Sequence, residues 1–134
     1  MDHVNYVAVV VATIAAWAFG AFWYRAFITR WSDALGKTKD QILPGGRRPI
    51  RAMVVSFLAE LVMAAVLAHL VPVMGPVSLL GGLFTAGACW LGFVLTILVV
   101  DNGYANDRPA FVSVASWHWL GVLLIMGGVI GAFG

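Results

Sequence analysis

The sequence predicts an all-α membrane protein. It is expected to form a single bundle of four transmembrane helices over residues 1–134, with a short cytoplasmic amphipathic helix between the first and second spans. Three observations carry that expectation. Hydrophobic residues make up 62% of the chain and charged residues 10%, with a mean hydropathy of +0.95, against about 45–50% and about 25% in ordinary soluble domains. A 134-residue soluble fold has too little interior to hide that much apolar surface, so lipid must cover much of it. The apolar residues fall in four runs, 4–24, 51–71, 77–100 and 111–133, each close to the roughly 20 residues a helix needs to cross a bilayer. Finally, the basic residues gather in two of the connecting segments.

Each run is expected to be helical, because backbone in lipid must satisfy its own hydrogen bonds and the alternation of a membrane β-strand is absent. The first run follows Met1-Asp2-His3, which has no Lys or Arg, so it reads as a retained helix rather than a signal peptide. In the 25–50 segment Phe27, Ile28, Trp31, Ala34 and Leu35 recur at helical spacing, with Arg30, Asp33, Lys37 and Asp40 opposite. This predicts an amphipathic helix on the inner headgroups, anchored by Trp31 and ended by Pro44-Gly45-Gly46, the alternative being a solvated loop. Arg47 and Arg48 fall where anionic lipid would attract them. Asn102-Gly103 is expected to close the third span, and Asp107-Arg108-Pro109 to open the fourth with a cap and a first-turn proline. Trp23, Tyr24 and Trp31 suit the inner interface belt, whereas Trp17, Trp90, Trp117 and Trp119 lie deeper and are expected to line the bundle.

Orientation follows from charge. Arg25, Arg30, Lys37, Lys39, Arg47, Arg48 and Arg51 lie between the first two spans or at their edges, and Arg108 lies between the last two. The 72–76 turn and both termini have no Lys or Arg. The positive-inside rule therefore predicts a multi-pass protein of the inner membrane, with both termini outside in the periplasm. Small residues four apart, at Ala12, Ala16 and Gly20, at Ala88 and Gly92, and at Gly127 and Gly131, form ridges that let helices approach closely. Because the Ala12 to Gly20 and Gly127 to Gly131 ridges cannot all face one small core, a homo-oligomer is expected, with another membrane protein as a further candidate partner.

Two side chains could carry chemistry. Glu60 lies nine residues beyond Arg51, about 14 Å of helix rise from the inner edge. A carboxylate at that depth costs roughly 2.5–3.5 kcal/mol on insertion scales, so it should face protein or water. It also lies on a stripe with Ala52, Ser56, Ala64 and Ala68. His118 enters the fourth span from the same side at a similar depth and is the candidate partner, with Ser56, Ser116, Trp90 and Trp117 as a supporting shell. Such a pair either locks two helices together or passes protons and binds a cation. A polar cavity reaching Glu60 would favour transport, and a dry, hydrogen-bonded Glu60 would favour scaffolding.

Other chemistry is not expected. Haem would need two histidines at one depth, but His69 and His118 differ by about 15 Å at helical rise, and His3 with His69 makes only two ligands. Neither a cofactor nor a metal is expected. Cys89 is the single cysteine, which excludes an internal disulfide. The net charge of +2 gives no reason to expect a nucleic-acid partner. The common phosphate-binding, dinucleotide, nucleophile-elbow and zinc-protease motifs are missing, so no enzyme is expected.

Asn5, Gly20-Ala21-Phe22-Trp23-Tyr24, Trp31 with Gly36, Trp90-Leu91-Gly92-Phe93, Arg108-Pro109 and Trp117-His118 occur in this order along most of the chain. Together they resemble a family of small bacterial integral-membrane proteins classed only as a domain of unknown function, whose most distinctive part is the Gly-x-x-Trp-Tyr ending of the first span. The resemblance implies a four-span membrane protein. It supplies no catalytic residue, and Glu60 is not among the residues that carry it, which leaves the role of Glu60 open. The expected function is therefore a structural or accessory protein-interaction role, the alternative being a small proton-linked transporter or channel using Glu60 and His118.

Overall fold

A computed structural model describes residues 4–47, 49–105 and 108–134, and among them there is helix and no strand. Four helices are long and apolar enough to cross a membrane: Tyr6–Ala26, Ile50–Met74, Leu79–Ala105 and Pro109–Phe133. They are called the first to fourth spans below. His3, Arg48 and Asp107, to which expectations were attached, lie outside the described residues.

Local chemistry sets the ends. Asn5 caps the first span, its Oδ1 accepting from the Ala8 N–H at 3.1 Å. Its Nδ2 donates to the Phe133 carbonyl at 2.7 Å, so the start of the first span and the end of the fourth are tied together. The second span runs three residues past its expected end, through Pro72 to Met74. A proline so near a C-terminus removes only one intrahelical bond, so the last turn survives it. Ser78 then starts the third span by accepting from the Gly81 N–H at 3.0 Å. That span is wound as π-helix over Trp90–Leu95 and continues past Asn102-Gly103 to Ala105. Asn102 does not stop it, because its side chain serves the next helix. The buried Asn102 Oδ1 accepts from the Arg108 N–H at 2.9 Å, just before Pro109 opens the fourth span.

The fourth span is the hub, packed against the other three and against the short helix Ile28–Leu35. Its closest approach is to the third span, where Gly82 meets Gly127 and Gly131 backbone to backbone. On the first span Ala12, Ala16 and Gly20 are buried as well. Both ridges that were expected to need a partner outside the bundle are thus used within it, and that argument for self-association falls. Only the Ala88 to Gly92 ridge faces outward, with open space around Gly92. Large apolar side chains such as Val62, Leu80, Phe84 and Phe93 also point out of the bundle, as expected where lipid is the solvent.

The segment between the first two spans breaks earlier than expected. The helix Ile28–Leu35 ends at Gly36, whose left-handed φ of 65° lets its N–H return to Asp33 at 3.1 Å. A separate turn, Lys39–Ile42, follows behind a capping box between Thr38 and Gln41. Trp31 anchors the first piece to protein: its ring packs on Phe111 at 5.2 Å and on Tyr24 at 4.9 Å. Arg108 locks the end of that helix, donating to the Ala34 carbonyl at 2.9 Å with its guanidinium over Gly36.

Candidate functional site

Three spans converge on Gly20. A Cβ placed there would lie 2.9 Å from His118 Nε2 and 3.9 Å from Glu60 Oε1. The missing side chain leaves the room that these two groups occupy. The small-residue stripe of the second span brings Glu60 inward, with Ala64 and Ala68 buried above it on the same face. The fourth span brings His118 inward, between the buried Ser116 and Val122. Glu60 is 2% exposed and His118 3%.

The imidazole is held by aromatic rings. Phe19 is nearly parallel to it at 6.2 Å, Tyr24 is tilted at 4.6 Å, and Trp119 meets it edge-on at 4.8 Å. The Tyr24 hydroxyl lies 3.5 Å from Nδ1, on the side of the ring away from Gly20. The aromatic contacts continue from Tyr24 through Trp31 to Phe111, and from Phe19 through Trp23 to Phe27. The imidazole is thus fixed in orientation, with Tyr24 at one nitrogen and Gly20 at the other.

Glu60 is treated differently from the buried hydroxyls of the fold. Thr13 and Thr85, also buried, donate to the Val9 and Gly81 carbonyls at 2.8 Å, and Ser32 bonds the Thr29 carbonyl at 2.9 Å. Glu60 Oε2 is buried with no hydrogen-bond partner. Leaving a buried polar group so costs about 1–3 kcal/mol, more if it is charged. A carboxyl and an imidazole that close on one spot, one oxygen still open, can hold or exchange a proton or accept a cation.

The expected supporting shell is elsewhere. Ser56 Oγ donates to the Met53 carbonyl at 2.9 Å and accepts from Trp17 Nε1 at 3.1 Å. The Ser116 hydroxyl bonds the Ser113 carbonyl, while its own carbonyl accepts from Trp90 Nε1 at 2.8 Å. Trp117 is 56% exposed and stacks on Trp90 instead of lining the bundle. Gly20, Tyr24, Phe19 and Trp119 take the places assigned to those residues. Tyr24 carried a usable signal: it continues the Ala12, Ala16, Gly20 ridge by one more step of four, but its position at the end of an apolar run favoured the interface-belt reading.

One helical turn towards the 25–50 segment, a cavity of about 310 Å³ is lined by Tyr24, Trp31, Pro49, Ala52 and Ser56 among others. It reaches the Tyr24 ring that touches His118 and the Ser56 that precedes Glu60 by one turn, and it stops there. His69 faces outward, Nδ1 against the Ala65 carbonyl at 2.7 Å. Among the described residues no three His, Cys, Asp or Glu side chains group as metal ligands.

A family model described as Protein of unknown function (DUF1761) matches residues 7–131. The chain belongs to this family. No curated protein and no solved structure matches it. In this DUF1761 member several of the motif residues noted in the sequence lie close together. Gly20, Tyr24 and His118 form the site, Trp31 packs on Tyr24, and Gly36 pairs with Arg108. The matched stretch contains Glu60 and every residue around it.

Proposed function

We propose that this is a multi-pass protein of the bacterial inner membrane in which Glu60 and His118 exchange a proton, as part of a small proton-linked transporter or channel rather than an enzyme. The observation that carries the reading is the buried Glu60 oxygen with no donor, beside an imidazole held by Tyr24. A pair serving only to lock helices would gain most by closing that hydrogen bond, and buried polar groups left open cluster where proteins work. The cavity ending at Tyr24 and Ser56 supports access from the 25–50 side. Infrared difference spectra between acid and alkaline buffer are expected to show a carboxyl band that is absent from Glu60→Gln. Liposomes holding the native protein should equilibrate an imposed proton gradient about tenfold faster than those holding the variant. Identical spectra and identical rates would overturn the reading.

Both termini are proposed to be periplasmic, from the one-sided placement of Lys and Arg. With Cys89 replaced, cysteines at Lys37 and Arg108 should be shielded from an impermeant thiol reagent in intact cells, and one at Gly75 should react. Labelling at 37 without labelling at 75 reverses the orientation.

A second reading, an accessory protein that packs on a second copy of itself, draws on the outward Ala88 to Gly92 ridge of the third span. Under it, Glu60→Gln leaves every measured property unchanged.

A further inference from the structure

Beside the cavity that ends at Tyr24 lies a second one of about 640 Å³, and Ile28, Leu43 and Met53 line both. Its walls are apolar, from Ala21, Phe22, Ile28, Leu43 and Met53, while Arg25 and Arg47 supply two guanidinium groups. Among the described residues no acidic side chain lines either cavity. The chain is bent to produce this. Gly45 and Gly46 take φ values of 64° and 71°, a left-handed backbone that glycine adopts without steric cost. They reverse the chain after Pro44, so that Arg47 lines the same cavity as Arg25 at the end of the first span.

Two guanidinium groups beside hydrocarbon walls suit a ligand with an anionic head on an apolar stem. A bare soluble anion would use the arginines and leave the walls uncovered. Basic side chains next to a span are also where anionic headgroups concentrate. We propose that this cleft binds an anionic phospholipid, with the headgroup phosphate between Arg25 and Arg47 and an acyl chain along Phe22, Ile28 and Met53. The proposal is independent of proton exchange, since neither Glu60 nor His118 lines this cleft.

The test is native mass spectrometry of the full chain in non-ionic detergent, titrated with phosphatidylglycerol, with phosphatidylcholine, and with glycerol 3-phosphate as competitor. Phosphatidylglycerol should bind about tenfold more tightly or better than phosphatidylcholine. That preference should vanish in the double variant Arg25→Gln/Arg47→Gln and persist in Arg30→Gln, a neighbouring cation outside the cleft. Failure of glycerol 3-phosphate to compete supports the lipid as the source of the phosphate. Competition as strong as the lipid's overturns that source in favour of a soluble phosphate. Equal binding of the two lipids, or a preference that survives the double substitution, overturns the site.

Discussion

Exchanging Glu60 for Met is expected to stabilise the bundle by about 1–3 kcal/mol while removing its pH-dependent carboxyl signal. Met has similar length and no polar atom that needs a donor, and its flexible thioether can settle against Gly20 and the His118 ring. The native carboxyl, 2% exposed with one oxygen open, offsets none of its desolvation with a hydrogen bond there. Thermal unfolding in detergent, followed by circular dichroism, measures the first effect, and the infrared difference spectrum measures the second. A lower unfolding temperature for Glu60→Met would mean that the carboxyl holds helices together, which is the scaffold role.

Gly82→Ala is expected to cost about 2–3 kcal/mol, a large effect for a single methyl group. The added carbon would run into the Gly127 carbonyl and press on the Gly131 Cα, and neither is the end of a side chain that could turn aside. The third and fourth spans would have to separate along their closest contact. Gly92→Ala, ten residues further along the same span, meets open space and should stay within about 0.5 kcal/mol of the native protein. Equal unfolding temperatures for the two variants would show that the Gly82 contact adds nothing.

The spans were legible because length and apolarity decide them, whereas their ends depend on single side chains. Asn102 looked like a stop and instead lies inside the helix, its side chain accepting from the Arg108 N–H just before the next one; that follows from a contact six residues away in sequence. Glu60 and His118 were legible because ionisable groups are rare and costly inside apolar runs. Their surroundings were not. A helix apolar on every side gives no period from which to read its rotation. Hence nothing in the sequence showed that Trp117, next to the inward His118, faces out. The packing of Tyr24 and Trp31 was hidden for a related reason: an aromatic ring near a bilayer edge packs equally well on headgroups or on a neighbouring helix. The ridges were visible, but which ridge meets which is a tertiary fact.

The hub position of the fourth span has a consequence for how the protein is made. Residues 109–133 leave the ribosome after the other three spans, yet they contribute His118 to the site and the glycine seam to the third span. Until they arrive, Gly20 and Glu60 have only each other's helices for cover, and the third span has only its smaller contact with the second. Insertion can therefore proceed span by span, while assembly waits for the last. A chain interrupted before Pro109 would sit in the bilayer with its carboxyl uncovered, a substrate for membrane proteases.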